Sequence, residues 1–299
     1  MSAVGTSEQH AEADLTRRVL ASLEGAPDPR VRVVLDSLVR HLHAFVREVR
    51  LTESEWQAGI DFLTRCGQVS DERRQEVILL SDVLGLSMLT IDVNHPSGAA
   101  ATEATVLGPF FVEGSPPTEI GGDISHGAAG RPCWFEGTVR DLDGHPVAGA
   151  RVEVWEADDE GRYDVQHGDD RVAARGHLFT DAEGRYAFWG VVPTPYPIPD
   201  DGPVGDLLAA VGRGPMRPAH LHLMVVAEGF RRLVTHLFVR GDEHQGSDAV
   251  FGVKESLVVD FHEHDPGTPG PGGRETTSGW TSARFDVVLQ PAPAQRGPV

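Results

Sequence analysis

The sequence predicts a mainly β protein with α-helices, in which an antiparallel β-sandwich follows an N-terminal helical domain. Apolar residues recur at helical spacing in the first part of the chain, whereas beyond residue 133 they alternate with a period of two. Turn signals also become frequent there, and many short strands separated by turns are typical of a sandwich. Hydrophobic residues make up 40% of the 299, beside 34 glycines and 21 prolines, as in a globular protein rich in turns.

The helical pattern covers approximately residues 14–89. Thr52, followed three residues later by Glu55, is a capping box that opens a helix. The run Ser70-Asp71-Glu72 is predicted to begin a further helix that continues through Leu84. The apolar residues that recur at helical spacing before these two starts are Val31, Leu35, Leu38, Leu42, Phe45 and Val49.

Eight strands are predicted after the helices, with turns at Asp141–Gly144 and Asp181–Gly184, where Asp and Gly accept unusual backbone angles. The predicted strands are Cys133–Val139, Ala150–Glu156, His177–Thr180, Arg185–Val191, Ala219–Val226, Leu233–Val239, Leu257–Phe261 and Phe285–Leu289. Changes in composition and periodicity along the chain therefore divide it into a helical domain (1–95), a connector and surface arm (96–132), a β-sandwich catalytic domain (133–290) and a disordered tail (291–299).

Composition excludes several kinds of partner. The formal charge is −19, from 45 acidic and 26 basic residues, so the chain repels nucleic acid and anionic membrane surfaces. No apolar run is long enough to insert into a bilayer. Only two cysteines are present, Cys66 and Cys133, and no secretory leader is evident, so we expect a cytoplasmic protein with two buried packing thiols.

Four side chains between residues 163 and 222 predict a metal site. His220 and His222 are two apart on a predicted strand, so both imidazoles point to one face and can reach one ion. Tyr196 lies in P-T-P-Y-P-I-P, where prolines fix an extended backbone, and Tyr163 follows a turn-like D-D-E-G-R. Phenolate oxygen is a hard donor that favours ferric iron. Arg217, three residues before His220, is placed to stabilise negative charge nearby.

The residues alone leave other readings open. A ferrous site could use the two histidines with Asp200 or Asp206, a zinc hydrolase could use the histidines alone, and a β-sandwich module could be non-enzymatic. Two other histidine pairs are poorer candidates. His41 and His43 point to nearly opposite sides of a helix, and the pair in His262-Glu263-His264 is expected in a solvated loop.

Several motifs together make the chain similar to the intradiol ring-cleaving dioxygenases, in particular to their hydroxyquinol branch, over most of its length. The motifs are T-E-A-T-V-L-G-P-F-F-V-E-G, V-E-V-W-E-A-D-D-E-G-R-Y-D-V-Q, R-G-H-L-F-T-D, P-Y-P-I-P-D-D-G-P-V-G and R-P-A-H-L-H. The resemblance implies one Fe(III) per subunit, held by Tyr163, Tyr196, His220 and His222. It also implies that Tyr196 leaves the iron and takes up a substrate proton, while Arg217 stabilises the reacting ring.

The same resemblance implies that O2 is inserted into a 1,2-dihydroxybenzene ring. Hydroxyquinol (benzene-1,2,4-triol), cleaved to 3-hydroxy-cis,cis-muconate or maleylacetate, is expected as the substrate, with catechol or a substituted catechol as the alternative. Asp82 would accept a hydrogen bond from the extra hydroxyl group, and His236 replaces the glutamine expected in many catechol enzymes. A homodimer joined through the N-terminal helices, with a phospholipid in an apolar tunnel, is also implied. The implied substrate-binding residues are Leu79, Asp82, Leu107, Gly108, Pro109, Phe110, Ile198, Pro199, Arg217 and Val250.

Overall fold

The computed structural model describes residues 3–71, 74–96, 100–167 and 171–292. The chain forms two compact units, Met1–Arg65 and Cys66–Val299. The predicted class, a mainly antiparallel β protein with an N-terminal helical region, is confirmed. The predicted disorder of the tail lies, from residue 293 onward, outside the described residues.

The described part of the chain contains six α-helices, and their starts follow local capping chemistry. Asp28 caps α2 (Pro29–Val49) by accepting a hydrogen bond from the amide of Arg30 at 2.7 Å. The capping box before α3 is confirmed, since the Thr52 amide donates to Glu55 Oε2 at 2.8 Å and the Glu55 amide donates to Thr52 Oγ1 at 3.2 Å. Among the described residues, no helix combines the length and the apolar composition needed to cross a bilayer. The helices are α1 (Ala3–Ser22), α2 (Pro29–Val49), α3 (Glu53–Val69), α4 (Glu76–Val83), α5 (Leu86–Asn94) and α6 (Pro203–Ala210).

The predicted start of the helix at Ser70-Asp71 is wrong, because neither residue is helical and α4 begins at Glu76, while Glu72 lies outside the described residues. The Asp71 carboxylate instead accepts a hydrogen bond from the Arg74 amide at 2.7 Å. The helical pattern is also interrupted at Gly85, whose φ of 71° is left-handed. Glycine tolerates that angle, so the chain changes direction between α4 and α5.

Two five-stranded sheets form the sandwich. One has the order β10-β11-β1-β12 with β4 also on β1, the other has the order β3-β2-β7-β8-β9, and a short β5-β6 ribbon stands apart. Most pairs are antiparallel, but β1 pairs in parallel with β11 and β12, and β8 with β9. The strands are β1 (Pro132–Arg140), β2 (Arg151–Trp155), β3 (Arg175–Phe179), β4 (Arg185–Val191), β5 (Tyr196–Pro197), β6 (Met216–Arg217), β7 (His220–Val226), β8 (Leu233–Val239), β9 (Val258–Val259), β10 (Phe261–His264), β11 (Trp280–Arg284) and β12 (Val287–Val288).

The core lies between the two sheets. Inward-facing residues such as Phe135 and Phe188 from one sheet meet Val152, Leu221 and Leu223 from the other, and all are almost fully buried. Burial of such side chains is worth about 25 cal/mol per Å² of apolar surface, so this layer dominates the stability of the sandwich. Both cysteines are buried and free, as expected.

The segment before the sandwich is tied to it by backbone hydrogen bonds. The Thr118 amide donates to the His177 carbonyl at 2.7 Å, and the Ile124 amide donates to the Trp189 carbonyl at 2.8 Å. Ile124 is fully buried in the core. The polar run Gly114–Asp123 therefore carries the chain across strands β3 and β4 and delivers Ile124 to the interior.

Candidate active site

Strand β7 presents two imidazoles on the face that points away from the sandwich core. Leu221 and Leu223 enter the core, whereas His220 and His222 point the other way and are each 1% exposed. His220 Nδ1 lies 2.7 Å from the Pro218 carbonyl oxygen, which can only accept, so Nδ1 carries the proton and Nε2 keeps its lone pair. The indole of Trp155 stacks on His222 with ring centroids 4.7 Å apart.

Tyr163 reaches the same point from the loop that leaves β2. Its backbone amide donates to Gln166 Oε1 at 2.9 Å, which fixes the turn into a short 3-10 helix over Asp164–Gln166. The next residue, Asp164, forms a buried ion pair with Arg175, and Arg175 Nη2 also donates to the Phe110 carbonyl at 3.2 Å. The phenol ring is fully buried and stacks against the Phe110 ring at 4.6 Å.

Tyr196 comes from the proline-flanked segment, which forms strand β5 rather than a free loop. It pairs with Arg217 on β6, so the phenol and the guanidinium emerge side by side. Gly161, with φ of 75°, lets the Tyr163 loop approach this strand, because a Cβ there would lie 2.8 Å from the Tyr196 Cβ. The Tyr196 side chain is 3% exposed.

The four polar atoms converge on one buried point. The Tyr163 and Tyr196 hydroxyl oxygens are 3.2 Å apart, Tyr196 Oη lies 3.3 Å from His220 Nε2, and the Nε2 atoms of His220 and His222 are 3.3 Å apart. Ligands that each lie about 2 Å from a common ion are separated by roughly 3 Å. Two phenol oxygens and two imidazole nitrogens at this spacing therefore fit one metal ion.

Burial shifts the pKa values of these tyrosine and histidine side chains. It raises the pKa of Tyr163 well above the usual range for a phenol, and the neighbouring Tyr196 adds to the effect. It also lowers the pKa of His220 and of His222 well below the usual range, with the positive charge of Arg217 contributing to both shifts. Neutral imidazoles are ready to act as ligands, whereas a phenolate needs a positive ion beside it.

Arg217 lies beside the point where the oxygen and nitrogen atoms of the two tyrosines and two histidines converge. Its Nη1 lies 3.0 Å from His220 Nε2 and donates to Tyr196 Oη at 3.4 Å, while its Nε donates to Asp248 Oδ1 at 3.2 Å. Burial opposes the charge, but the adjacent Tyr196 and Asp248 offset it, and the pKa of Arg217 is raised. The guanidinium therefore stays charged in a buried site, where its electrostatic effect is strong.

Two of the implied substrate residues, Phe110 and Arg217, contact the tyrosines at this point. Ile198 and Val250 are buried, Leu107 packs against the aromatic cluster that contains Trp155, and a Cβ on Gly108 would lie 3.0 Å from His222 Cε1. A cavity of about 310 Å³ is lined by five of the implied residues, together with Arg74, Glu76 and Gln166. Those five are Leu79, Asp82, Pro109, Phe110 and Pro199.

Asp82 contributes to this cavity a carboxyl group with a raised pKa. The side chain is buried, and burial raises the pKa of its carboxyl group, an effect to which the negative charge of Asp248 adds and which Ser87 and Arg217 oppose. Ser87 already provides a hydrogen bond to this carboxyl group, which can accept a further one from a hydroxyl group on a bound ligand.

The alternative metal ligands that the sequence offered are not among the four converging side chains. Asp200 and Asp206 are exposed, and neither belongs to the buried group of donors. On α2, His41 Nδ1 bonds to its own helix at the Ser37 carbonyl, and His43 contacts Thr16. The expected loop at 262–264 is wrong, because these residues form β10 and His264 stacks on Trp280.

The sequence did not predict which side chains hold these groups in place. Asp164, Gln166 and Arg175 fall within the quoted motifs, but their contacts depend on packing between segments, and Asp248 lies outside those motifs. His236 lies directly opposite His222 in the register of β7 and β8, and its Nε2 is 2.9 Å from His222 Nδ1. In the sequence His236 stood out only as a replacement for an expected glutamine, and the register of the strand pair is what places it beside His222.

Comparison with known proteins shows which family the chain resembles. Residues 28–102 match the family of the catechol dioxygenase N terminus, and residues 106–291 match the dioxygenase family. The chain is 62% identical over 289 residues to the hydroxyquinol 1,2-dioxygenase of Nocardioides simplex, covering 97% of this chain and 99% of that protein. It is 58% identical to the hydroxyquinol 1,2-dioxygenase of Rhodococcus opacus, covering 94% of each.

A solved structure shows the same likeness in three dimensions. The hydroxyquinol 1,2-dioxygenase of Pseudomonas putida DLL-E4 superposes with a TM-score of 0.88 at 45% identity, covering 95% of this chain and 100% of that one. The family predicted from the motifs is thereby confirmed. Since the likeness extends over both the helical and the β part of the molecule, the chain belongs to the intradiol ring-cleavage dioxygenases.

Proposed function

We propose that the protein is a hydroxyquinol 1,2-dioxygenase. It would cleave benzene-1,2,4-triol between its adjacent hydroxyl-bearing carbons and place both atoms of O2 in the product, 3-hydroxy-cis,cis-muconate, whose keto form is maleylacetate. The observation that carries this proposal is the convergence of two phenols and two imidazoles beside a cavity that contains a buried carboxyl group. Membership of an enzyme family makes the non-enzymatic module and the zinc hydrolase wrong.

Tyr163, Tyr196, His220 and His222 would hold one Fe(III) per subunit, because hard phenolate oxygens favour that ion. A ferric ion there would supply a Lewis acid that binds the two diol oxygens and makes the ring reactive towards O2. The neutral imidazole of His220 is held for this task by the Pro218 carbonyl oxygen. The Asp164–Arg175 ion pair and Gln166 hold the Tyr163 loop.

Tyr196 and Arg217 would handle protons and charge. The Tyr196 oxygen would take a proton from the substrate diol, while Arg217 Nη1, 3.4 Å away, would donate a hydrogen bond to that oxygen and keep its own proton. Arg217 is fixed by Asp248, so it can stabilise negative charge that develops on the ring during cleavage. Catalytic roles are therefore assigned to Tyr196 and Arg217.

The cavity would select the substrate by shape and by one hydrogen bond. Leu79, Pro109 and Phe110 would cover the ring and exclude water, with Leu107, Gly108, Ile198, Pro199 and Val250 around it. Asp82 would accept a hydrogen bond from the hydroxyl group that the triol has and catechol lacks. A buried polar group left without that partner costs about 1–3 kcal/mol, which favours the triol over catechol.

Oxygen uptake with hydroxyquinol and with catechol, recorded together with product spectra, tests the assignment. We expect faster uptake with hydroxyquinol and formation of the hydroxymuconate. Faster uptake with catechol and formation of cis,cis-muconate would establish the alternative, a catechol 1,2-dioxygenase. Yellow semialdehyde products would mean cleavage outside the diol and would contradict the intradiol reaction.

We further propose that the enzyme is a cytoplasmic homodimer joined through the helical domain, residues 1–95, while residues 133–290 form the catalytic domain. Leu38, Leu42 and Phe45 on α2 are each about half exposed in the isolated chain, as expected for a face that a second subunit covers. A cavity of about 390 Å³ lined by Leu15, Val46 and Arg47 would accept a phospholipid. Lipid extraction and mass spectrometry of the purified dimer test that ligand.

A further inference from the structure

Three buried imidazoles form a series that leads away from the convergence point. His220 has an evident acceptor behind it, the Pro218 carbonyl, which fixes the proton on Nδ1. His222 has no carbonyl in that position. Its Nδ1 instead lies 2.9 Å from Nε2 of His236, which is fully buried on β8. For His222 to offer its Nε2 lone pair, its Nδ1 must donate and His236 Nε2 must accept.

That requirement decides where His236 keeps its own proton. A neutral imidazole that accepts at Nε2 carries its hydrogen on Nδ1. His236 Nδ1 is buried and has no hydrogen-bond partner among the described residues. A buried donor without a partner is costly, so this tautomer needs an acceptor close to Nδ1.

A second unpartnered donor lies beside the first. Arg217 Nη2 is also buried without a hydrogen-bond partner among the described residues. Both donors lie close to Gly252: a Cβ built there would be 3.2 Å from Arg217 Nη2, 3.2 Å from Asp248 Oδ2 and 3.6 Å from His236 Nδ1. Two donors and one carboxylate oxygen therefore surround a single small space, called here the Gly252 niche.

We propose that the Gly252 niche holds one water molecule, and that His236, oriented by this water, is a positioning residue for His222. The water would accept from His236 Nδ1 and Arg217 Nη2 and donate to Asp248 Oδ2, which gives it the two to four partners that buried water requires. Because Gly252 has no Cβ, no side chain competes for the space between these three atoms. The inference rests on the proposed function at one point, that His222 is a metal ligand.

A rival arrangement is present among the described residues. One ring nitrogen from each of His220, His222 and His236 lies within 4.8 Å of the others, so His236 could itself bind a metal ion. The position of its Nε2, opposite Nδ1 rather than Nε2 of His222, favours the supporting role. Phe238 and His220 pack against the His236 ring and fix this orientation.

Iron retention by the loaded enzyme separates the possibilities. We expect His236→Leu, which has no acceptor, to lose iron to EDTA about 10- to 100-fold faster than the wild type and to shift the phenolate-to-iron absorption band. His236→Gln, whose amide oxygen can accept from His222, should recover most of the retention. Thr235→Val, at the neighbouring buried position on the same strand, controls for general loss of packing.

The niche is tested by filling it. Gly252→Ala should exclude the water and accelerate iron loss several-fold, whereas Gly246→Ala, where a Cβ meets no atom within 4 Å, should have no effect. If the water acts through His236, the double variant His236→Leu/Gly252→Ala should retain iron no worse than His236→Leu alone. A high-resolution structure of the iron-loaded wild type should show the water within hydrogen-bond distance of all three polar atoms.

Wild-type retention in His236→Leu, or a dry niche in that structure, would overturn the inference while leaving the proposed function intact. Complete failure of both His236 variants to bind iron would overturn it in favour of a third histidine ligand. Failure of the wild type itself to bind iron or to cleave hydroxyquinol would contradict the proposed function instead, so the two outcomes are distinguishable.

Discussion

At the scale of single residues, two phenols that look alike in sequence have different surroundings. Tyr163 faces Tyr196 and the two imidazoles, whereas the Tyr186 hydroxyl donates to the Phe285 carbonyl at 2.7 Å and lies against the sandwich core. Both are buried. The Tyr163 hydroxyl group lies beside other atoms that can bind a metal ion, whereas the Tyr186 hydroxyl group bonds to a backbone carbonyl. Substitution of the two tyrosines should therefore affect iron binding differently.

Tyr163→Phe should remove a hard oxygen from the metal site. We expect iron affinity to fall by more than about 100-fold, since loss of even an outer hydrogen-bond partner of a ligand costs 10- to 100-fold. Tyr186→Phe is the matched control. It should keep iron, colour and turnover, and lose only about 1 kcal/mol of unfolding free energy. Equal iron content in the two variants, measured by atomic absorption, would refute the assignment of Tyr163.

Arg217→Ala should separate iron binding from catalysis. Because the four proposed ligands remain, the variant should still bind iron, yet turnover of hydroxyquinol should fall about 100- to 1,000-fold, the usual cost of losing a group that stabilises developing charge. Steady-state oxygen uptake and iron analysis on the same sample measure both quantities. An unchanged turnover would remove Arg217 from the reaction.

Asp82→Ala should change substrate preference rather than overall activity. The carboxyl group is proposed to bond the third hydroxyl, so kcat/KM for hydroxyquinol should fall by about tenfold or more, in line with 1–3 kcal/mol for a lost polar partner. The value for catechol should change less. The ratio of the two values is the readout, and an equal loss on both substrates would dismiss the proposed hydrogen bond.

At the scale of elements, the strand that carries the histidines was predictable, and its neighbours were less so. Alternation along residues 219–226 identifies β7 and places both imidazoles on one face, as observed. Strand β11 (Trp280–Arg284) was missed because its buried residues include Thr281, so apolar alternation is weak. Its parallel pairing with β1 joins segments almost 150 residues apart and leaves no local signal.

The last strand of the chain shows a second limit of prediction from local residue patterns. The predicted strand Phe285–Leu289 shortens to β12 (Val287–Val288), because Asp286 Oδ1 accepts the Thr138 amide at 2.8 Å and interrupts the ladder. The identities of the four proposed ligands followed from residue chemistry and resemblance. Their supports did not, since Asp248 and His236 contact the site through tertiary packing alone.

Glu156, which follows β2, provides a test of packing in this part of the sheet. Burial raises the pKa of its carboxyl group well above the usual range, and Oε1 accepts the Val191 amide at 2.8 Å. The folded state therefore keeps a proton that the unfolded chain releases above about pH 4.3. It follows that this residue makes the free energy of unfolding fall as pH rises above that value.

Glu156→Gln keeps the acceptor and cannot ionise, so it should remove this part of the pH dependence. We expect urea unfolding to show the variant gaining stability relative to the wild type between pH 5 and pH 8, by at most about 1.4 kcal/mol per pH unit. Glu183→Gln, on the exposed turn before β4, is the control and should leave the gradient unchanged. Parallel gradients in Glu156→Gln and the wild type would mean that the carboxyl group is ionised in the folded state.

At the scale of the whole molecule, the apolar face of α2 is the feature that the isolated chain does not explain. Phe45→Glu should introduce a charge into the proposed subunit interface and convert the dimer to monomers, because an unpaired buried charge is costly. Arg40→Gln, at an exposed position on the same helix, is the control. Sedimentation velocity measures the change, and a dimer of unaltered affinity would place the interface elsewhere.

One ferric ion held by two phenolates and two imidazoles is the centre of the proposed chemistry. Quantitative metal analysis together with the visible spectrum of the purified, fully active enzyme tests this directly. One iron per subunit and a phenolate-to-iron charge-transfer band that is lost in Tyr163→Phe are the predicted result. Full activity in colourless protein, or in protein that contains another metal and no iron, would contradict it.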